Sequence, residues 1–431
     1  MRNRYTNLGW LVTIIIAILP IAIWLITQQT EWSTSKLIIE NLGKLAGLSG
    51  LALFCWSVIL SARLKVFGRL FMGLDNMYRA HHLISCFALI LLLIHPMLLT
   101  TRYLLSSPIS AYEFLKPSLE APFRFLGSIT LASFMGLMLL TLYVNMRQER
   151  LVLAMRLLGL LVFLGGLHAI LVGGSDINSL IWLQIYILGL IAAAAAVYVY
   201  RSLFHGNFAK FYDYSVASIK HKNDIIELHL EPKEKPIAFL PGQFAFVKLD
   251  SDGVLGQSHP FSISSAPSQT QLRFSIKQLG DYTSALSQAR VGQSVKIDAP
   301  YGSFSDEVVK NNRQVWVAGG IGVTPFLSMA ASLDDSRQVD MYYSVKDDQE
   351  AVYLSELNKV AANHKNFSIK LINTTKSGFL TAESIVAECQ NLQDAAFLVC
   401  GPPAMMKSLR AQLRKSGVRN SNIHTEEFSL L

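Results

Sequence analysis

The sequence predicts an α-helical membrane bundle of six transmembrane helices joined to an antiparallel β-barrel domain and an α/β domain. Three observations predict it. Of the 431 residues 51% are hydrophobic and only 16% charged, and the apolar ones concentrate before about position 200, so two solvents act on one chain. From 214 to 297, short alternating segments are separated by turn signals, the pattern of a small antiparallel barrel. From 315 onward, apolar strands alternate with helical segments, the pattern of a doubly wound α/β domain.

A helix needs about 20 residues to cross a hydrocarbon core. Six runs meet or approach that length: 8–27, 45–61, 82–104, 125–146, 151–172 and 180–200. The first is long, has no small-residue cleavage site and is followed by further spans, so it reads as a span and not as a cleaved signal peptide. Lys and Arg in short loops set the orientation. Arg2 and Arg4 precede the first run, and Arg63, Lys65, Arg69 and Arg79 lie between the second and third. Arg147, Arg150 and Arg156 surround the join of the fourth and fifth, and Arg201 and Lys210 follow the sixth. The alternate loops are poorer in cations, and 173–179 has none. Both termini and the whole soluble half are therefore expected on the cytoplasmic side of a bacterial inner membrane. The net charge of +8 mostly reflects this asymmetry, so no nucleic-acid partner is expected. The cysteines, Cys55, Cys86, Cys389 and Cys400, form no CxxC pair, which argues against zinc and iron–sulfur sites. A reducing cytosol argues against disulfides.

After a polar link at 201–210, the barrel segments are 214–219, 225–230, 244–249, 272–277 and 294–297. Glu231-Pro232, Pro241-Gly242 and Ser251-Asp252-Gly253 mark turns between them. The α/β strands are 315–318, 339–344, 367–372 and 397–399, with helices at 325–332 and 353–362. The domain boundaries that follow are 1–204, 205–308 and 309–431.

The third span carries His81, His82 and His95, and the fifth carries His168. An ionisable side chain in a span is costly and is a functional hypothesis by default. His81 and His95 are 14 apart in sequence, close to four helical turns, so they share a face and lie about 21 Å apart along the axis. One ligand near each leaflet is what two stacked haems need, and neutral imidazole is an axial ligand of haem iron. The competing reading is a helix–helix hydrogen bond or an interfacial histidine. It weighs most for His81 and His82, near the cytoplasmic edge, and His82 points roughly 100° away from His81. His205, His221, His229, His364 and His424 lack ligand spacing and read as surface residues.

Ser61-Ala62-Arg63, Gly73-Leu74-Asp75, Tyr78-Arg79, His81 and His95-Pro96, in that order, resemble the ferric-reductase-like transmembrane domain of NADPH oxidases and ferric-chelate reductases. The soluble half resembles the ferredoxin–NADP reductase-type module attached to it. Pro241-Gly242-Gln243-Phe244 is similar to the turn before the flavin site, and His259-Pro260-Phe261-Ser262 to the flavin-binding signature. There the aromatic packs on the flavin and the hydroxyl sits near its reactive nitrogen. A flat apolar ring favours an aromatic partner, and a hydroxyl can donate or accept as protonation changes.

Gly280-Asp281-Tyr282-Thr283 resembles the flavin-pyrophosphate site at a helix start; an ordinary N-cap by Asp281 reads equally well. Lys277, just upstream, belongs to the same implied site. Ala299-Pro300-Tyr301-Gly302-Ser303-Phe304 resembles the segment that closes the barrel. Gly319-Gly320-Ile321-Gly322-Val323-Thr324-Pro325 resembles the nicotinamide-nucleotide motif. Its glycines permit close backbone approach and Pro325 starts a helix. Ser344 and Lys346 sit where relatives that use NADPH hold the 2′-phosphate, many with Arg. Cys400-Gly401-Pro402-Pro403 resembles the loop beside the nicotinamide ring, with Cys400 in a positioning role.

Two departures stand out. The resemblance implies a second histidine on the fifth span about thirteen residues before His168, and position 155 is Met155, with Ala154 beside it. The resemblance also implies a terminal aromatic over the flavin, which Phe428 supplies unless strict register puts Leu430 there. Taken together, the resemblance implies FAD, NADPH (or NADH) and haem b as cofactors. Two haems are expected, held by His81, His95, His168 and Met155, with Arg63 and Arg79 near their propionates. The inner site leaves three options: Met155 as sixth ligand, a five-coordinate haem on His81, or no inner haem. Electrons are expected to pass from cytoplasmic NADPH to an acceptor across the bilayer. Oxygen, giving superoxide, is favoured over a ferric chelate or a periplasmic protein partner, because the outer loops are short.

Overall fold

The computed structural model describes residues 2–27, 32–62, 65–71, 73–116, 118, 121–144, 148–172, 180–200, 211–251, 253–388 and 394–426. The chain divides into two compact units, Met1–Phe208 and Ala209–Leu431.

The described helices of the first unit are α1 (Arg2–Thr27), α2 (Ser35–Leu60), α3 (Lys65–Leu70), α4 (Leu74–Leu104), α5 (Pro108–Leu115), α6 (Pro122–Tyr143), α7 (Gln148–Val172) and α8 (Ile181–Val199). All but the short α3 and α5 are long and apolar enough to cross a membrane. Two of them, α2 and α4, start eight or more residues before their apolar runs. Thr34 caps α2 by accepting from Leu37 N at 3.4 Å, and Glu40 is paired with Lys44 at 3.3 Å and with Arg102 of α4 at 2.7 Å. Paired charges allow the helix to run ten residues beyond its apolar stretch. Helix α4 begins at Leu74, so Arg79 lies inside a helix and not in a loop before it, and His81 lies on the same helix as His95. Lys65 and Arg69, expected in that loop, lie on α3.

Helix α2 is the spine, packing against α1, α4, α7 and α8. Its polar side chains are spent on helix contacts. Trp56 Nε1 donates to Thr13 Oγ1 at 3.0 Å and Ser49 Oγ to the Ala17 carbonyl at 2.9 Å. Tyr186 of α8 donates to the Ile16 carbonyl at 2.7 Å. In an apolar medium each such group must be satisfied internally. Gly43, Gly47 and Gly50 of α2 face Leu99, His95 and Leu92 of α4, the small-residue packing that brings helix backbones close.

The second unit holds two sheets. Strands β1 (Tyr212–Lys222), β2 (Ile225–Pro232), β3 (Phe244–Leu249), β4 (His259–Ser262), β5 (Leu272–Lys277) and β6 (Ser294–Tyr301) form an antiparallel sheet in the order β4-β3-β6-β1-β2-β5. Inward side chains such as Tyr214, Leu228, Val247, Phe274 and Ile297 make its core. The expectation of a barrel is corrected here to a half-barrel. Among the described residues, the edges next to β4 and β5 are joined by a single bridge, Ile263 to Phe274. The physical reason is β4, which is four residues long and carries Pro260, a residue with no N–H for a ladder. A five-residue helix, α9 (Asp281–Ala285), follows β5.

The second sheet is parallel, in the order β11-β10-β7-β8-β9. It comprises β7 (Arg313–Gly319), β8 (Gln338–Val345), β9 (Phe367–Asn373), β10 (Ala396–Cys400) and β11 (Ile423–Glu426). Around it lie α10 (Thr324–Ala330), α11 (Leu354–Asn363), α12 (Thr374–Ser377), α13 (Ala382–Glu388) and α14 (Pro403–Lys415). Strand β11 and helices α13 and α14 are additions to the sequence reading. His424, expected at the surface, is 5% exposed on β11, because a strand of four residues buries a side chain that its sequence context leaves polar. His229 is only partly exposed and lies 3.9 Å from Glu227.

An ion pair ties the two sheets together. Arg273 of β5 donates to both carboxylate oxygens of Glu356 on α11, at 3.0 and 2.7 Å, and to the Ser264 carbonyl at 2.8 Å. Such a fork fixes orientation as well as distance. Glu356 is 37% exposed, so solvent screens its share. A double-mutant cycle between Arg273→Met and Glu356→Gln should give a coupling of about 1 kcal/mol in urea unfolding of the full-length protein. A coupling near zero would mean that the pair does not hold the sheets together.

Candidate functional site

The candidate site of the second unit is built at strand ends. Register places Cys400 of β10 beside Ala318 of β7 and, on its other side, beside Glu426 of β11; Gly319 pairs with Ser344 of β8. These residues therefore share the carboxyl edge of the parallel sheet, where α/β sheets bind ligands. The edge is tightly folded. A Cβ on Gly322 would lie 2.4 Å from the Cys400 carbonyl oxygen, and one on Gly319 would lie 2.8 Å from Pro402 Cδ. A Cβ on Gly401 would lie 2.9 Å from Gly319 Cα. The β7–α10 and β10–α14 turns are thus in backbone contact, and only glycine fits both. Gly320, by contrast, has open space where a Cβ would stand, with φ at +54°. Thr324 Oγ donates to the Ile321 carbonyl at 3.1 Å and Pro325 opens α10.

The half-barrel reaches the same edge. Ser262 of β4 lies opposite Phe244 of β3, and Phe244 lies opposite Tyr301 of β6. Gly302 follows Tyr301, and a Cβ there would be 3.4 Å from Glu426 Oε1. A continuous row therefore runs Ser262, Phe244, Gly302, Glu426, Cys400, Ala318. Glu426 is 4% exposed. Sequence reasoning missed it; the signal was an acidic residue ending the short alternating run from Ile423.

Beside this row is an aromatic pile. The Tyr282 ring lies 3.8 Å from the His259 ring and is stacked on Phe261 at 6.0 Å. Burial pushes the His259 imidazole below its ordinary value, so it is neutral. Pro260 lies opposite Phe246. Tyr282 is buried, and Thr283 Oγ accepts from Leu279 N at 2.8 Å and Gly280 N at 3.0 Å. Gly280 and not Asp281 is the cap residue of α9, and the Thr283 hydroxyl at the third helical position reaches back to the cap's own amide. Ser262 is 6% exposed, and its Oγ is buried without a hydrogen-bond partner among the described residues. A buried unpaired hydroxyl is costly and fits a ligand atom as its partner.

Of the other sequence candidates, Lys277 is paired with Asp224 at 3.1 Å and lies 3.9 Å from Glu350. Ser344 is buried at the end of β8. Lys346 follows on an exposed turn. The turn is pinned by its own backbone: Lys346 N donates to Glu350 at 3.2 Å and its carbonyl accepts from Thr375 Oγ1 at 2.7 Å. Asp348 is neutralised by Lys376. Arg63, Phe428 and Leu430 lie outside the described residues, as do Cys389 and His205.

In the first unit, three imidazoles each meet a helix carbonyl through Nδ1, and His81 Nδ1 also lies 3.0 Å from Ser57 Oγ. His81 Nδ1 is 2.9 Å from the Ser57 carbonyl and His95 Nδ1 is 2.8 Å from the Gly43 carbonyl, both on α2. His168 Nδ1 is 2.8 Å from the Phe123 carbonyl on α6. A carbonyl accepts, so each Nδ1 is the protonated nitrogen and Nε2 carries the lone pair. His95 and His168 also lie within electrostatic reach of each other. This donor set fits haem iron, which takes neutral imidazole through one nitrogen while the other donates. His82 is exposed, as is Arg79. Met155 is 45% exposed on α7, thirteen residues before His168. Thirteen steps of about 100° leave it roughly 140° around the helix from His168.

The comparisons agree with the edge-of-sheet geometry. Residues 210–315 match the model of an FAD-binding domain, and 316–411 that of an oxidoreductase NAD-binding domain. This chain is an oxidoreductase. Flavohemoprotein A of Dictyostelium discoideum is 26% identical over 234 residues, 49% of this chain and 59% of that protein. The ferredoxin–NAD(P)(+) reductase component of naphthalene 1,2-dioxygenase/salicylate 5-hydroxylase systems from a Ralstonia species is 28% identical over 207 residues, 45% of this chain and 62% of that one. The chain thus spans about three-fifths of the length of these relatives. A ferredoxin NADP+ reductase structure from Neisseria gonorrhoeae aligns with 51% of this chain and 99% of its own, at 20% identity and a TM-score of 0.44.

The Ser262 hydroxyl yields a prediction. Ser262→Ala removes a buried unpaired group, so the flavin-free protein should be at least as stable to heat as the parent. Lost from a charge-assisted bond of about 1.5–3 kcal/mol, the same hydroxyl should slow flavin reduction by NADPH roughly 10- to 150-fold. Stopped-flow absorbance and a thermal melt check both. An unchanged reduction rate would remove Ser262 from the site.

Proposed function

We propose that the protein carries electrons from cytoplasmic NADPH through FAD and b-type haem to an acceptor on the outer face of a membrane, oxygen being the favoured acceptor and superoxide the product. The observation that carries this reading is the pairing, in one chain, of an FAD- and NAD-binding oxidoreductase module with an apolar bundle in which His95 and His168 present Nε2 with Nδ1 already committed. When bound, a flavin takes two electrons together and releases them singly, and haem iron passes one at a time. The residues supply position. Phe261, backed by Tyr282, offers a flat apolar face; Ser262 offers a hydroxyl at its edge; the glycine turns at 319–322 and 401 admit the nicotinamide end to backbone contact. Glu426 and Cys400 sit side by side behind it, and a buried carboxylate there can hold a proton close to the reacting face.

Lys346 supports NADPH over NADH. Nearby Asp348 and Glu350 have cations of their own in Lys376 and Lys277, which leaves the Lys346 ammonium for a 2′-phosphate. Lys346→Glu should raise the Michaelis constant for NADPH roughly 10- to 150-fold, from a lost contact of about 1.5–3 kcal/mol, and move that for NADH little. Equal effects on both would show that Lys346 does not read the phosphate.

For the haems we favour two. His81 has the same Nδ1 commitment as His95, and their carbonyl partners Ser57 and Gly43 are spaced by the same fourteen residues on α2 as the histidines are on α4. Met155 occupies the expected second position of α7 in sequence, though roughly 140° around the helix from His168; His81 alone in a five-coordinate site is the other arrangement. The lipid bilayer surrounds the bundle and the soluble unit faces the cytoplasm, with Arg79, Arg150 and Arg156 on that side.

Turnover of the purified full-length protein with NADPH tests the acceptor. Under oxygen, NADPH consumption should track superoxide detected by cytochrome c, and superoxide dismutase should abolish the signal. Consumption only with ferric chelate under nitrogen would replace oxidase by ferric reductase. Turnover with neither, restored by a periplasmic extract, would replace both by delivery to a protein partner.

A further inference from the structure

Two glycines lie beneath two histidines in a repeated arrangement. On α2, the Gly43 carbonyl accepts from His95 Nδ1 at 2.8 Å, and a Cβ on Gly47 would stand 2.7 Å from that same nitrogen and 3.1 Å from Cε1. On α6, the Phe123 carbonyl accepts from His168 Nδ1 at 2.8 Å, and a Cβ on Gly127 would stand 2.5 Å from Cε1 and 2.6 Å from Nδ1. In both, the accepting carbonyl is at position i and the glycine at i+4, one helical turn further on. The histidines come from different helices, α4 and α7, and the seats from different helices too.

The carbonyl of a mid-helix residue already serves its own ladder, so a side chain from a neighbouring helix must approach its second lone pair from the side. The residue at i+4 covers that approach, since side chains four apart lie one above the other on a helix face. For His95 and His168 a Cβ there fills the space the ring occupies, whereas His81 bonds the Ser57 carbonyl at the C-terminal end of α2 with Ser61 at i+4 and has no such glycine. Glycine is therefore the residue that lets the imidazole lie on the helix and bond the carbonyl at once.

We infer that Gly47 and Gly127 are positioning residues for axial ligation: each forms, with the carbonyl one turn before it, a seat that fixes the tautomer, tilt and basicity of a haem-ligating imidazole. The inference rests on the haem reading above. A hydrogen bond from Nδ1–H to a carbonyl raises the basicity of the ligating nitrogen, which favours ferric over ferrous iron. Breaking the seat should therefore weaken haem retention and raise the midpoint potential. The glycines touch imidazole and not iron, so their effect is exerted through the ligand.

Gly50 is the control. It lies on α2, faces α4 as Gly47 does, and a Cβ there would meet Leu92 at 2.9 Å and not a histidine. Gly50→Ala strains the same helix pair without touching a ligand. Full-length wild type, Gly47→Ala, Gly127→Ala and Gly50→Ala are purified in detergent. Haem is measured by pyridine haemochrome, the ferric low-spin signal by electron paramagnetic resonance, and the potential by redox titration. Gly47→Ala and Gly127→Ala should each lose at least half of the haem that the His95 and His168 pair holds, or retain it with shifted ferric g values and a raised midpoint. Gly50→Ala should keep the wild-type spectrum and potential. Wild-type signals in both seat variants, or an equal change in Gly50→Ala, would overturn the inference while leaving the haem reading in place. Absence of haem from the wild-type protein would overturn the haem reading itself, and the seats with it.

Discussion

An imidazole inside an apolar bundle must give one nitrogen to the protein before it can offer the other to anything else. The rest of the bundle is arranged around that constraint. Where apolar helices surround the ring, the Nδ1 proton needs a fixed acceptor, and the acceptors present in quantity are helix carbonyls. His81, His95 and His168 each use one. This requires close helix pairs, and close pairs require small residues at the contact. The glycines of α2 and α6 and the central position of α2 follow from the same requirement. Further polar bonds, from Trp56, Ser49 and Tyr186, fasten α1 to α2 and α8.

The soluble unit solves a different problem, bringing two sheets to one edge. The parallel sheet alone offers Gly319, Ser344, Cys400 and Glu426 in register. The half-barrel alone offers Ser262, Phe261 and Tyr301. Gly302 is where they meet, since a side chain there would press toward Glu426. Arg273 and Glu356 hold the sheets at this approach from the far side of β5.

Much of this was legible from residue order alone. The spans were visible because lipid demands about 20 apolar residues, and the strands β7 to β10 because a buried parallel strand is a continuous apolar run. Strand β11 was not, since four residues with His424, Thr425 and Glu426 have no apolar run to see; its strand character comes from pairing with β10. Glu426 was hidden for the same reason. The start of α4 was hidden because Arg79 reads as loop polarity, and the length of α2 because Glu40 is polar by itself and is paired by Lys44 and by Arg102, 62 positions away. The histidines were legible as residues. Their seats were not, because Gly47 and Gly127 carry no chemistry of their own and gain meaning only from the ring that lies on them.

The asymmetry of the bundle sets its remaining question. The α2–α4 pair repeats its device, Gly43 with His95 and Ser57 with His81, at a spacing that keeps both on one face. The α6–α7 pair has one instance, Phe123 with His168. Position 155 carries methionine, whose thioether has no proton to place and so calls for no carbonyl acceptor of the kind that each of the three imidazoles uses.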